Sequence, residues 1–234
     1  MVAELTTDRL VTVLAATPLF GGLDRASLEG LARGGVLRHY KRDQYLWVQG
    51  DPGDHLVVVV SGRVKVVVTS ESGDELVLVT LGRAESLGEL AVLDALPRSA
   101  SAVAAEPAAV LRISRVQLHE LMRSNPAVME ALMASVGALV RRLTEQASDL
   151  VFLDLTGRVA KLLVQLVDDK GPVRSGPATL DLGLTQTDLA HMVGASRPAL
   201  NRILQALSSR GWISVEGRRI VVRDRAGLRR RAGL

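Results

Sequence analysis

Between Val36 and Ile113 the chain repeats one pattern: short runs of Val, Leu and Ala broken by turn formers. The runs read YLWVQ, HLVVVV, RVKVVVT, ELVLVTL, SASAVA and AAVLRI. Gly50-Asp-Pro-Gly53, Ser61–Gly62, Ser72-Gly73-Asp74 and Glu106–Pro107 separate them. Several short strands at such regular spacing predict an antiparallel barrel or double-sheet roll. The unbroken run Val57–Val60 predicts a strand with little solvent exposure. Aromatic residues are only 3% of the chain, so Val, Leu and Ala must build the core.

The segments around this region have a helical period. Residues 8–35 read as helix and end at the pair Gly34–Gly35. Ser114 to Asn125 reads as a short helix, capped by Ser114 and stopped before Pro126. A longer helix runs from Pro126 to about Leu153. Its apolar positions are Met129, Leu132, Val136, Leu139, Leu143, Leu150 and Leu153, in alternating three–four spacing, with Gln146 as a polar entry. So narrow a seam suits a coiled-coil pair; a helix packed on a globular core is the alternative. A polar residue in the seam can fix register, which fits a homodimer. Asp154–Gly157 reads as a hinge, followed by a helix (Arg158–Asp169), a Gly/Pro loop (Gly171–Pro177) and a compact basic unit.

Charge is unevenly placed. Residues 180–234 hold 10 Arg against 4 Asp or Glu, while the preceding residues hold 19 Lys or Arg against 21 Asp or Glu. A near-neutral front and an arginine-rich tail point to one part that senses and one that meets a polyanion; a solvated basic surface is the bland alternative. The chain has no cysteine, so disulfides, thiolate zinc sites and cysteine-held iron–sulfur clusters are excluded. No run has the length of a membrane span, and the start lacks the layout of a secretory signal, so a cytoplasmic location is expected.

In the basic unit, LTQTDLAHMVGASRPALNRILQALSSRGWI carries two helix starts. Thr185-Gln-Thr-Asp188 has the form of a capping box and opens a helix to about Val193. Gly194 lies in the turn. Ser196 caps a second helix that runs to about Ser208. Two short helices around a Gly turn predict a helix-turn-helix, whose second helix enters the major groove. Arg197, Asn201 and Arg202 share its leading side, with Arg suited to guanine and Asn to adenine. Ala199, Leu200, Ile203 and Leu204 can pack inward. Thr185 and Ser196 sit at helix N-termini, which favour a backbone phosphate. WISVEGRRIVVRD reads as a hairpin turning at Glu216–Gly217, with Arg218 and Arg219 as a wing on the phosphates.

Over nearly its whole length the chain resembles the cyclic-AMP receptor protein/FNR (CRP/FNR) superfamily of bacterial transcription regulators. The resemblance rests on GDHLVVVVSGRVKVVV, LGEL…PRSA, FLDLTGRVAKLL and ASRPALNRIL, in that order. It implies an α+β fold: a cyclic-nucleotide-binding β-roll (jelly roll) over 1–125, a dimerisation helix and hinge over 126–154, and a winged helix-turn-helix over 155–234. It also implies that GELAVLDALPRSASAV is a phosphate-binding cassette containing Gly88, Glu89, Leu90, Arg98, Ser99 and Ala100. Burying a cyclic phosphodiester requires a paired cation, which Arg98 would supply. Ser99 would donate a hydroxyl, and N–H groups near Gly88 and Ala100 would add donors. Glu89 would accept from the ribose 2′-hydroxyl and sit close enough to orient Arg98; a structural Glu–Arg pair is the alternative. The implied effector is a cyclic nucleotide, cyclic AMP first. The implied partners are a palindromic double-stranded DNA operator, a second copy of the chain and RNA polymerase.

The chain departs from the family pattern in three places. Family members that bind cyclic AMP commonly read adenine with a Thr–Ser or Thr–Asn pair on the long helix. Aligned from one side, Leu143 and Thr144 stand there; aligned from the other, Gln146 and Ala147 do. GRAES replaces the usual Gly-Asp turn before LGEL. Pro198 replaces the Glu of Ser-Arg-Glu, removing an acceptor for cytosine N4 and predicting a different half-site. A regulator of the same fold whose cassette binds no cyclic nucleotide is therefore the alternative. An enzyme is not expected: His39, His55, His119 and His191 show no ligand spacing, and no catalytic set gathers near the cassette. His39, His55 and His119 are expected at the surface or in loops, and His191 in mid-helix beside DNA. Haem and metal find no support either.

Overall fold

The fold is taken from a computed structural model, which describes residues 6–71, 73, 75–168, 178–181, 185–217 and 219–234. Contacts divide the chain into two units, one of Met1–Val68 with Leu78–Arg142, the other of Thr69–Val77 with Leu143–Leu234.

The first unit opens with two helices, α1 (Thr7–Ala16) and α2 (Arg25–Gly34), where the sequence reads as one helical stretch. Pro18 causes the break. It forces Thr17 into an extended conformation (φ −79°, ψ 126°), and the Thr17 hydroxyl turns back to donate to the Val13 carbonyl at 2.9 Å. Asp24 restarts the helix by accepting from the Ser27 N–H at 2.8 Å. Strands β1 (Val36–Tyr40), β2 (Tyr45–Trp47), β3 (His55–Ser61), β4 (Val64–Thr69), β5 (Glu75–Leu81) and β6 (Ser86–Leu87) follow. After them come a short helix α3 (Glu89–Asp94), β7 (Ser101–Ala104), β8 (Ala108–Ser114) and α4 (Arg115–Ser124). The strands form two four-stranded sheets, ordered β1-β8-β3-β6 and β2-β7-β4-β5, so the roll expected from the turn spacing is present.

Strand β3 explains the unbroken Val run. Side chains alternate across a strand. Leu56, Val58 and Val60 enter a core with Leu14, Phe20, Leu31 and Leu118 from the helices. Val57 and Val59 enter the roll interior with Trp47, Val64, Leu87, Ala102 and Val110. Both faces are covered, so both must be apolar.

Helix α5 runs Pro126–Phe152 and α6 runs Leu155–Asp168. The break is therefore at Leu153–Asp154. Gly157, read as part of a hinge, lies inside α6, where its N–H donates to the capping Asp154 carboxylate at 2.8 Å. The second unit continues with β9 (Ala178–Asp181), α7 (Gln186–Met192), α8 (Arg197–Ser209), β10 (Ile213–Glu216), β11 (Arg219–Val222) and α9 (Arg225–Arg231). Its sheet order is β10-β11-β9, and its core joins Val159, Leu163, Leu180, Leu189, Leu200, Leu207 and Ile213. The Gly171–Pro177 loop lies outside the described residues.

Candidate effector site and nucleic-acid interface

The cassette is stitched to the segment between β2 and β3. The Arg98 N–H donates to the Asp51 carbonyl at 2.9 Å, and the Arg98 carbonyl accepts from the Gly50 N–H at 2.9 Å. The Ser101 hydroxyl accepts from the Gln49 N–H at 2.9 Å. These bonds turn the Arg98 side chain inward, where only 3% of the residue is exposed. Its guanidinium donates to the His55 carbonyl at 2.6 Å and the Gly88 carbonyl at 3.2 Å. The Trp47 ring covers it, 4.0 Å from ring centre to guanidinium carbon. The third nitrogen, Nε, is buried with no partner. Burial pulls the Arg98 pKa below the usual arginine range, opposed by the charge of Asp54.

Gly88 makes this approach possible. Its φ of +95° is left-handed, and a Cβ there would stand 2.6 Å from the Arg98 guanidinium. Any side chain there would strain the backbone and crowd the guanidinium.

Glu89 lies close enough for its charge to act on Arg98, but its hydrogen bond goes elsewhere. Its carboxylate accepts from the Ser86 hydroxyl at 2.9 Å, while main-chain carbonyls and an indole hold Arg98. The reason is local: Glu89 opens α3, so its side chain falls beside Ser86 three residues earlier. Ser99 is exposed, Ala100 is buried, and Gly88 and Leu90 are half-buried. Thr144 is exposed on α5.

The place of His55 is a correction. It begins β3 and is 9% exposed rather than in a surface loop, because β3 is covered on both faces. Its Nδ1 lies 2.5 Å from the Asp54 carboxylate and 3.0 Å from an Arg112 nitrogen, and its ring meets Trp47 edge-on at 5.7 Å. Burial pushes the His55 pKa down. The Asp54 hydrogen bond opposes this, while Arg112 and Arg98 reinforce it. Asp54 is itself held below its usual range by the bond to His55. His39 is exposed on β1, and His119 and His191 are half-buried on α4 and α7. Trp47 is not singled out by the sequence: one aromatic in a strand run reads as core.

In the second unit α7 and α8 form the expected pair. Gly194 takes φ +63° in the turn, and the Ala195 N–H closes it on the Ala190 carbonyl at 2.9 Å. The capping box at Thr185 is complete: the Thr185 hydroxyl accepts from the Asp188 N–H at 3.1 Å, and the Asp188 carboxylate accepts from the Thr185 N–H at 2.9 Å. Ser196 caps α8 by accepting from the Ala199 N–H at 3.4 Å. Leu200 and Leu204 are buried; Ala199, Asn201 and Ile203 are half-buried; Arg197, Arg202 and Arg219 are exposed. Arg218 lies outside the described residues.

The arginine-rich tail is partly structural. Helix α9 was not expected from the sequence. Its Arg225 and Arg229 pair with Asp168 and its Arg231 with Asp154, so these three side chains fasten α9 to α6 and its cap.

Helix α5 departs from its expected seam. Val128 and Leu132 are buried in the first unit's core. Leu132 therefore leaves the seam. One exposed apolar stripe runs through Met129, Met133, Val140, Leu143 and Leu150, with Ala147 between the last two and half-buried Val136 between the second and third; Val151 and Phe152 are also exposed at the end of the helix. This is still three–four spacing, but it passes through Met133, Val140 and Ala147 instead of Leu132, Leu139 and Gln146. Sequence spacing alone could not choose, because both stripes keep three–four spacing and are mostly apolar.

A β-roll with an inward-turned arginine, joined in one chain to a winged helix-turn-helix, defines a DNA-binding transcription regulator. Residues 37–125 match the cyclic nucleotide-binding domain family, and residues 157–231 the Crp-like helix-turn-helix domain family. The chain is 32% identical over 220 residues, covering 94% of it and 98% of the relative, to a CRP-like cAMP-activated global transcriptional regulator of Mycobacterium tuberculosis. It is 30% identical over 187 residues, 80% of this chain and 89% of the other, to the cAMP-activated global transcriptional regulator CRP of Escherichia coli. Among solved structures, the c-di-GMP-responsive global regulator CLP of Xanthomonas campestris aligns with TM-score 0.75 at 25% identity, covering 86% of this chain and 99% of that one. The chain belongs to the CRP/FNR family of transcription regulators. These relatives are regulators, not enzymes. No helix among the described residues is long and apolar enough to cross a membrane.

Proposed function

We propose that this protein is a homodimeric transcription regulator, acting in the cytoplasm, whose affinity for a palindromic operator is set by a cyclic nucleotide in the roll. One observation carries the reading: Arg98 is buried in the cassette with Nε unpartnered. A buried guanidinium retains its charge and costs several kcal/mol of desolvation, which an anion offsets and carbonyls only partly offset. Gly88, lacking a Cβ, leaves the guanidinium its space. The residues therefore fit a phosphodiester, with Arg98, Ser99 and the N–H groups near Gly88 and Ala100 as its donors, and Glu89 and Leu90 beside them. A bound cyclic nucleotide supplies one negative charge and a ribose hydroxyl.

Cyclic AMP is the first candidate because the Mycobacterium tuberculosis and Escherichia coli relatives are named as activated by it. Thr144 is the base-reading candidate on α5. A second reading has its own support: Leu143 beside Thr144 carries no polar group, and the CLP relative is named for c-di-GMP, so the cassette of this chain would take a different anionic effector.

On the DNA side, Arg197, Asn201 and Arg202 read bases in the major groove. Ser196, Thr185, Arg218 and Arg219 meet phosphates. The Thr185 contact requires a phosphate to compete with Asp188 for the same N–H. The exposed α5 stripe pairs with its copy in the dimer, and RNA polymerase is the downstream partner.

Calorimetry with cyclic AMP, cyclic GMP and c-di-GMP, with fluorescence anisotropy on a palindromic duplex, tests the reading. Arg98→Ala should abolish both effector binding and its effect on DNA affinity. Unchanged values for both would overturn the effector gate and leave the DNA reader standing.

A further inference from the structure

We propose that Trp47 belongs to the effector site: it holds Arg98 in a retracted pose against the His55 and Gly88 carbonyls, and an anionic effector must break that stack to take the guanidinium. This rests on the reading that Arg98 receives the effector's anionic group.

The geometry allocates the donors. Arg98 spends both terminal nitrogens on neutral carbonyls, at 2.6 and 3.2 Å, and the Trp47 face covers the plane at 4.0 Å. Each terminal nitrogen keeps a second N–H, and Nε is buried with no partner. A ligand that approaches the two terminal nitrogens from the side of the His55 and Gly88 carbonyls competes with them for the fork. A phosphoryl or carboxylate oxygen adds the attraction of opposite charges that a neutral carbonyl lacks, so an anion competes for the guanidinium better than a neutral ligand does. The latch thus selects for anions before any base is read.

Trp47 is also mechanically tied to the cassette. Its Nε1–H donates to the Ala100 carbonyl at 3.0 Å, two residues beyond Arg98. Its edge is fixed by His55 at 5.7 Å and 83°. The ring is 7% exposed, and its far edge lies 3.4 Å from where a Gly88 Cβ would stand. The ring cannot swing aside alone; it moves with residues 98–100. Release of Arg98 is thereby coupled to displacement of the segment that carries Ser99.

The coupling has a direct readout, since the chain has only two tryptophans. Trp212→Phe leaves Trp47 as the sole emitter. Without ligand, adding Arg98→Gln should change Trp47 emission, because the stacked cation is gone; unchanged emission would overturn the stack. Cyclic AMP is then titrated by calorimetry and fluorescence together. The two midpoints should coincide, and Trp47→Leu should tighten binding about five- to thirtyfold, the factor a desolvated cation–π contact represents. Trp47→Phe, which keeps a weaker aromatic face and most of the volume, should shift affinity the same way by less and guards against loss of fold. Binding to the parent protein with silent emission, or with affinity unchanged or weakened in both variants, overturns the latch and leaves the effector reading intact. Binding seen only once Trp47 is replaced supports the latch. No binding to the parent protein or either variant overturns the latch and removes cyclic AMP as the effector.

Discussion

The Arg98 guanidinium carbon lies 4.0 Å from the centre of the Trp47 ring, and the indole N–H bonds the Ala100 carbonyl at 3.0 Å. Trp47 thus supports the roll interior and covers a cation at once. Trp47→Ala should cost about 3–5 kcal/mol of stability, the range for a buried aromatic truncated to Ala. Urea denaturation followed by circular dichroism measures this. A loss below about 1 kcal/mol would mean that the ring is not packed as described.

Gly88 combines φ +95° with a Cβ position 2.6 Å from Arg98. Gly88→Ala should destabilise the roll by about 1–3 kcal/mol through backbone strain and push Arg98 off the Gly88 carbonyl. A thermal melt beside an effector titration checks both effects. An Ala variant with wild-type melting and binding would contradict the geometry.

His55 gives stability a pH dependence of known sign. Burial holds its folded pKa below the unfolded value of about 6.5. As pH falls, the unfolded chain takes up the proton first. The contribution of neutral His55 is therefore complete above about pH 6.5 and is lost as pH falls from there toward the folded value. Asp54, also lowered, contributes in a separate window: its stability is present above its unfolded value of 3.8 and is lost as pH falls below it. Unfolding free energies at about pH 7.5 and about pH 5.5 should differ in the parent protein and differ less in His55→Gln. Equal slopes would place the sensitivity elsewhere.

The α5 stripe should be the dimer surface. Val140 is 57% exposed, so Val140→Glu should leave the stability of each chain within about 0.5 kcal/mol while weakening self-association at least about tenfold. Sedimentation velocity over a concentration series reads the change. An unaltered sedimentation coefficient would rule out this stripe.

Arg202 is exposed on the leading side of α8. Arg202→Ala should weaken operator binding by about 1–3 kcal/mol and relax preference at one base position. Arg225→Gln should instead lower the melting temperature with little effect on operator affinity, because its side chain pairs with Asp168. Anisotropy titrations on intact and single-substituted duplexes separate the two.

Local signals decided much of this protein. Turn formers between short apolar runs set out the roll. Ser114, Thr185 and Ser196 marked helix starts through side-chain oxygens that satisfy the N–H groups of the first turn. Arg197, Asn201 and Arg202 on their helix were legible as residue types at set spacings, and the cassette around Arg98 was legible through the family resemblance. The break at Pro18 is equally local, since proline acts on its immediate neighbour.

Tertiary structure decided whatever depended on residues far apart in the chain. Arg98 meets carbonyls from residues 55 and 88 and a ring from residue 47, a convergence set by strand register and not by spacing. Leu132 and Val140 look alike along α5, and only packing turned one into the core and left the other exposed. The tail arginines were ambiguous until Asp168 and Asp154 proved to face them. Sequence carries the preferences of each segment, but which side chains meet is fixed only when the apolar faces close over one another.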